Sequence, residues 1–281
     1  MPSPRNALKA LGLAPSRKRG QNFLRDPLLA QRLAQKTLAL GNRSIVEIGP
    51  GLGALTRPLL DARAEVYAVE LDRGLAEALK TWPEAETGEL KVINQDILKL
   101  NLSQLGQTPF TVVGNLPYNL STPILFWFLA QTPLAQAGVF MLQKEMAERL
   151  LAQPGQDSYG RLSVALSLWA EVKQILAAPP EAFQPKPKVH SAVVSLIPQK
   201  APEVSLKALG HLTKAAFHAR RKTLANNLFP VYGREKSLAA LAQLAVDPGL
   251  RAETLAPKVF AEMAKLLVPD PDANQLSKSD G

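Results

Sequence analysis

The sequence predicts an α/β protein, a mainly parallel sheet flanked by helices and followed by a smaller all-helical C-terminal domain. Three observations carry this. Short apolar strands alternate with helical patterns from residue 27 to about residue 160, the rhythm of a doubly wound sheet. Several of those strands end in glycine or an acid, as strands do when their carboxyl ends hold a ligand. Beyond Pro198 only helical periodicity remains.

In order, Asp26-Pro27 reads as an N-cap with proline at the first helical position, opening a helix in which Leu28, Leu29, Leu33 and Leu38 recur at roughly helical spacing. Ser44 to Gly49 is a buried strand ending in glycine, and 54–61 is helical. Glu65 to Glu70 gives a second strand, with a helix from Asp72 to Lys80. Leu90 to Asn94 is a third, Phe110 to Gly114 a fourth with helix 121–131 behind it, and Ala137 to Leu142 a fifth with helix 144–152. A helix through Trp169, then strands at Val172 to Ala177 and Val189 to Ile197, close the sheet with a hairpin. Helical patterns follow at 204–218, 234–246 and 255–267. The expected organisation is a basic arm over 1–26, a sheet domain over 27–198, a helical domain over 199–269 and a flexible polar tail over 270–281.

Composition bounds the function. With 46% hydrophobic and 20% charged residues, the 281-residue chain has material for a packed core and is not a disordered one. Its longest apolar run, Ile124 to Ala130, is seven residues, far below the ~20 of a membrane span, so a soluble protein is expected. Zero cysteines exclude disulfides, thiolate catalysis and Cys-based metal sites. The three histidines, His190, His211 and His218, lack metal-ligand spacing, and no metal is expected. Lys9 and the prolines interrupt any secretory apolar stretch near the start, which leaves a cytoplasmic address as the expectation; a monomer is expected by default. The formal charge is +9. Residues 1–26 hold six basic residues and one acid, 27–180 hold 13 and 14, and 181–281 hold 14 and nine. A near-neutral middle between two basic ends predicts a polyanionic partner gripped by those ends.

Gly49-Pro-Gly-Leu-Gly53 joins a strand to a helix, where glycines let backbone approach a ligand beside a helix N-terminus. Glu70 ends the next strand, about twenty residues on, well placed to accept both hydroxyls of a ribose. Gly49, Gly51 and Glu70 therefore predict an adenosine-containing ligand. They leave its identity open, because Gly49, Gly51 and Ala54 also satisfy the dinucleotide pattern G-x-G-x-x-A, and an NAD-dependent oxidoreductase would carry the same loop. Asp96 ends the third strand and can accept from an adenine amino group, although an isolated acid there would read as a helix cap.

Asn115-Leu-Pro-Tyr118 follows the fourth strand at the same sheet edge. An adenine amino group is a poor nucleophile because its lone pair is delocalised into the ring. Two acceptors, one on each N–H, favour the reactive pyramidal form. The Asn115 side-chain oxygen supplies one, and a carbonyl in the Leu116-Pro117 turn supplies the other. Tyr118 offers a face on which to stack an extruded base.

Taken together, Gln21-Asn-Phe-Leu24, Glu47 to Thr56, Val69-Glu-Leu-Asp72, Asn94-Gln-Asp-Ile97, Gly114 to Asn119, Phe183 to Val193 and Phe217 to Asn227 resemble the ribosomal RNA adenine dimethyltransferases over roughly residues 15 to 230. The pattern is most similar to the small-subunit members, which dimethylate two adjacent adenines near the 3′ end of 16S ribosomal RNA in ribosome biogenesis. The resemblance implies a Rossmann-like class I methyltransferase sheet and S-adenosylmethionine as cofactor, contacted by Asn22, Leu24, Gly49, Glu70, Asp96 and Asn115. It makes Asn115 to Tyr118 the target-adenine motif and Phe183 the aromatic on the other face of the flipped base. For Asn22, Leu24 and Phe183 the resemblance alone gives a role; by residue type, Asn22 reads as loop and Phe183 as core.

With an RNA substrate the basic ends acquire a task. Arg17-Lys-Arg19, Lys186, Lys188 and Arg220-Arg-Lys222, the last read as part of a helix, are expected to meet phosphates. The stretch 185–222 holds eight basic residues and one acid. Alternatives within reach of the same motifs are a large-subunit RNA dimethylase, a DNA adenine methylase, and an RNA-binding assembly factor in which methylation is secondary.

Overall fold

Serine, aspartate and proline set the first helix starts, and buried apolar runs set the strands. The computed structural model describes residues 3–14 and 22–269. Ser3 accepts the Asn6 amide and Pro4 opens α1 (Pro4–Ala10), inside the stretch expected to be a basic arm that contributes to the cofactor site. Strand β1 (Phe23–Leu24) precedes α2 (Pro27–Leu38), whose Asp26 cap accepts the Leu28 and Leu29 amides. Then come β2 (Ser44–Ile48), α3 (Thr56–Asp61), β3 (Glu65–Val69), α4 (Arg73–Lys80), the short α5 (Pro83–Thr87), β4 (Leu90–Ile93), β5 (Phe110–Asn115), α6 (Ser121–Ala130), β6 (Ala135–Gln143) and α7 (Lys144–Leu151). The rest is α8 (Arg161–Trp169), β7 (Ala170–Ala178), β8 (Phe183–Gln184), β9 (Ser191–Pro198), α9 (Leu206–Ala216), α10 (Leu224–Tyr232), α11 (Arg234–Gln243) and α12 (Pro257–Leu267).

Seven strands form one sheet in the order β4-β3-β2-β5-β6-β9-β7. The neighbours from β4 to β6 are parallel, and β9 lies antiparallel to β6. From β2 the chain moves outward to β3 and β4, then returns to β5 on the other side of β2. The strand order reverses there, and the carboxyl ends of β2 and β5 flank the crevice in which such sheets bind ligands. Ile45 and Val46 are both fully buried though they face opposite sides of the sheet, as helices on both faces require. Leu33 and Leu59 pack with Ile45 on one face, and Phe128 meets Phe140 edge-on at 5.3 Å on the other. Strands β1 and β8 form a separate antiparallel pair. No helix among the described residues is long and apolar enough to cross a membrane.

The chain divides into two compact units, and the division differs from a single cut after residue 198. The first holds the described residues up to Ala147 together with Lys173–Pro198; the second holds Glu148–Val172 together with the described residues from Gln199 onward. The reason is packing inside the second unit. The Tyr159 hydroxyl donates to the Leu255 carbonyl at 2.8 Å, its ring meets Phe217 edge-on, and Phe217 stacks on Phe260. Residues ahead of β7 thus belong to the C-terminal core although a strand of the sheet follows them.

A second difference concerns Arg220-Arg-Lys222, which lies in the turn before α10 and not on a helix. Thr223 caps α10 by accepting the Asn226 amide. The buried Asn227 side chain donates to the Ala216 and Ala219 carbonyls and accepts the Ala219 amide, which fixes the turn.

Candidate active site

At the carboxyl end of β2 the backbone turns through Gly49, Gly51 and Gly53, with φ of +63°, +59° and +77°, a region that side chains other than glycine's disfavour. Space adds to this constraint: a β-carbon on Gly51 would stand 3.1 Å from the Phe23 ring, and one on Gly53 only 2.3 Å from Trp82. Trp82 is in turn covered by the Arg57 guanidinium, 4.3 Å from its ring centroid. Glu70, buried at the end of β3, accepts the Gly51 amide at 3.0 Å through Oε2 and the Asp72 amide at 2.8 Å through Oε1. The acid that the sequence assigns to a ligand therefore also holds the loop.

Asp96 likewise serves twice. Its Oδ1 accepts the Leu98 amide at 3.0 Å, the cap that an isolated acid predicts, and its side chain also lines the cavity between the strand ends. Asn94 donates to the Glu70 carbonyl at 2.8 Å and ties the ends of β3 and β4 together.

Asn115 ends β5 beside the loop. Its Nδ2 donates to the Asn22 carbonyl at 2.8 Å, which leaves Oδ1 as the end of the amide able to accept from a ligand. Within the turn, the Pro117 carbonyl is engaged by the Leu120 amide at 2.9 Å and the Ser121 hydroxyl at 3.1 Å. Among the described residues no donor engages the Leu116 carbonyl, which makes it the turn carbonyl available to a ligand hydrogen. Tyr118 is half-buried, with its hydroxyl 3.4 Å from Ser191 Oγ at the start of β9. Asn22, Leu24, Gly49, Gly51, Glu70, Asp96 and Asn115 to Tyr118 all line one cavity of about 280 Å³.

Three carboxylates, Glu47, Glu70 and Asp96, face that cavity, and among the described residues no Lys, Arg or His lines it. This is notable in a chain of net charge +9. Glu47 was not singled out by the sequence. It is 2% exposed on β2 and accepts the Thr56 hydroxyl at 2.6 Å. Burial pushes its carboxyl up to about 7; the Thr56 hydrogen bond opposes the rise and the nearby Glu70 charge adds to it. The signal available in the sequence was an acid in the middle of an otherwise apolar buried strand.

Phe183 departs from the role implied by resemblance. It is 2% exposed and packs in the core cluster with Leu24, Val139 and Met141, and it does not line the cavity. Pairing of β8 with β1 sets Phe183 opposite Leu24, so the ring that residue type marks as core is core here. Of the basic residues, Arg17, Lys18 and Arg19 lie outside the described residues, as does Gln21. Lys186 and Lys188 are exposed on the connection between β8 and β9, Lys186 paired with Glu181. Arg220, Arg221 and Lys222 are exposed in the second unit, where the Arg220 guanidinium donates to the Asp157 carbonyl.

Comparison with known proteins agrees with the geometry. A family model described as ribosomal RNA adenine dimethylase matches residues 15–268. The chain is 40% identical over 264 residues to the ribosomal RNA small subunit methyltransferase A of Photorhabdus laumondii, covering 92% of this chain and 95% of that one. It is 43% identical over 251 residues to the protein of the same name from Dichelobacter nodosus, covering 88% and 94%. Among solved structures, a dimethyladenosine transferase from Plasmodium falciparum superposes with a TM-score of 0.73 at 25% identity, covering 86% of this chain and 95% of that one. The 23S rRNA methyltransferase ErmE superposes with a TM-score of 0.64 at 27% identity, covering 88% and 100%.

Proposed function

The chain belongs to the ribosomal RNA adenine dimethylase family, and on that premise we propose that it uses S-adenosylmethionine to dimethylate N6 of two adjacent adenines near the 3′ end of small-subunit (16S) ribosomal RNA. The observation that carries the reading is Asn115: with Nδ2 held by the Asn22 carbonyl, its amide presents an acceptor beside the glycine loop. The cavity fits the cofactor. Three carboxylates, with no Lys, Arg or His among the described residues that line the cavity, suit a ligand bearing ammonium and sulfonium charges, and they would repel the pyrophosphate of a dinucleotide. When bound, the cofactor supplies an electrophilic methyl on its sulfur.

The protein's part is positioning. Asn115 Oδ1 accepts one N6 hydrogen and the Leu116 carbonyl the other, turning the nitrogen lone pair toward the methyl, while Tyr118 stacks on the extruded ring. No general base is needed, because N6 becomes strongly acidic once its fourth bond forms and then sheds its proton. After the first transfer one hydrogen remains for the same acceptors, and a second round gives the dimethyl product. Glu70 takes the ribose hydroxyls and Asp96 the adenine amino group of the cofactor. Arg17 to Arg19, Lys186, Lys188 and Arg220 to Lys222 take RNA phosphates, whose contacts position the substrate without reading its bases.

Small-subunit specificity rests on the relatives bearing that name, which share about 40% identity over some nine-tenths of the chain. Methyl transfer to undermethylated small subunits, with the modified nucleotides mapped, tests it. Two adjacent dimethyladenines near the 3′ end are expected, and activity confined to large-subunit RNA would overturn the assignment.

A further inference from the structure

The near-neutral middle of the chain is uneven in detail. Residues 27–64 hold five basic residues and two acids, and one of those acids, Glu47, is buried in the sheet. Two of the five lie on α2. Its inner face, Leu29, Ala30, Leu33, Ala34 and Thr37, is buried, and Leu33 also lines the cavity. Its outer face presents Leu28, Arg32 and Lys36 at i, i+4 and i+8, a spacing that sets them in one row with a rise of ~6 Å from each to the next. All three are exposed, Leu28 by 70%.

Pro27–Leu38 contains no acid. Asp26, just ahead of it, spends its carboxylate on the Leu28 and Leu29 amides at 2.9 and 3.1 Å. A helix face that is merely solvated carries charges of both signs; this row carries one. It also continues a surface already described. The Arg25 amide donates to the Ala182 carbonyl at 2.8 Å, which fixes the exposed Arg25 beside the 180–182 turn, and Glu181 of that turn holds Lys186. Arg25 thus stands between the β8–β9 connection and the start of α2. A helix is ~10 Å across, so phosphates resting on the outside of α2 lie about one helix diameter from the cavity that its inside lines.

We infer that the outer face of α2 is a further binding surface for the RNA backbone, with Arg32 and Lys36 as its cations and Arg25 as its link to Lys186. Phosphates meet the cations, and Leu28 offers apolar contact to the sugars between them. Such contacts position the strand without reading its bases. Because α2 belongs to the same compact unit as Asn115, this grip sets the strand directly against the residues assigned to the target adenine. The inference rests on the RNA-substrate reading.

Binding of the full-length protein to undermethylated small subunits, followed over a range of salt, tests it. Arg32→Gln with Lys36→Gln should weaken binding roughly fivefold near 0.1 M salt and reduce the slope of log affinity against log salt by about 1.5. Lys80→Gln with Lys99→Gln removes the same charge from α4 and from the turn beyond β4, both exposed, and should leave the slope unchanged. Retained S-adenosylmethionine binding checks that both proteins are folded. An unchanged slope for the α2 pair overturns the inference, as do equal losses from the two pairs, which would assign the effect to net charge. The chain has no cysteine, so Leu28→Cys carrying a photoactivated cross-linker marks a single place. It should form adducts at discrete nucleotides of the small-subunit RNA, and the same label at Lys80→Cys should not. A Leu28→Cys label that reaches no RNA while the protein stays bound counts against the surface. Failure of the wild type to bind small subunits would instead remove the RNA reading itself.

Discussion

The cavity wall and the exposed basic turns put opposite charges to opposite uses. Glu47, Glu70 and Asp96 face a cavity that no Lys, Arg or His among the described residues lines, whereas Lys186, Lys188 and Arg220 to Lys222 stand on the surface. Charge in a confined site acts at short range and at low effective dielectric, and mobile ions barely screen it. Charge on the surface is screened within ~8–10 Å at ordinary ionic strength and works by number. The interior is therefore suited to holding one small cationic cofactor in register, and the exterior to gathering a polyanion. Salt should separate them.

The largest expected effect is inside. Asn115→Ala removes an acceptor from the reacting nitrogen and should lower kcat by roughly a hundredfold to a thousandfold, the scale on which a single preorganised hydrogen bond matters in an active site. Cofactor binding followed by calorimetry should persist, and the loss should be the same at low and high salt. A wild-type rate would sink the mechanism, and a loss that varies with salt would blur the contrast between the two regions.

Next comes the cost of the interior charge. In the free protein the Glu47 carboxyl titrates near 7 against 4.5 for an ordinary glutamate. The native state thus keeps a proton that the unfolded chain gives up. Its contribution to stability is complete below about pH 4.5 and is lost as pH rises to about 7, a change on the order of 3 kcal/mol at most. Glu47→Gln should raise the melting temperature of ligand-free protein by several degrees at pH 8 and by much less at pH 5. Equal shifts at both pH values would show that the burial penalty is absent.

The outer region should give smaller, salt-dependent effects. Replacing Arg220, Arg221 and Lys222 together with Gln should weaken RNA binding about tenfold near 0.1 M salt and reduce the slope of log affinity against log salt by about 2, with kcat at saturating RNA unchanged. An unchanged slope would make the turn a solvated loop. The smallest effect expected is that of Ser191→Ala, which removes the hydroxyl near Tyr118. A fewfold rise in KM for RNA is anticipated from freeing that ring, and a change in cofactor affinity instead would place Tyr118 on the wrong ligand.

Local chemistry explains what the sequence made legible. Parallel strands buried on both faces are continuous apolar runs, and Ser44–Ile48 and Phe110–Asn115 lie within a residue of their expected positions. Gly49, Gly51, the strand-end acids Glu70 and Asp96 and the Asn-Leu-Pro-Tyr turn are contiguous signals, and all of them reach the cavity. The features that escaped depend on partners distant in sequence. Thr56 is nine residues from Glu47, the Asn22 carbonyl is 93 residues from Asn115, and Tyr159 finds Leu255 across 96, which is why 148–172 groups with the C-terminal helices and not with the sheet it adjoins in sequence. Arg220 to Lys222 read as helix because the nearby pattern is helical, and Asn227 holding the turn from within α10 is a tertiary fact. Helices α1 and α5 span seven and five residues, too short for a helical period to show.

The bond from Asn115 to the Asn22 carbonyl has a consequence for fidelity. A carboxamide is nearly symmetric in shape and opposite in polarity at its two ends, and only its surroundings decide which end points where. Turned by 180°, Asn115 would set N–H against the N–H of the adenine and become an obstacle of the same size. One main-chain oxygen ahead of β1 thus acts as a compass needle for the residue proposed to face the base.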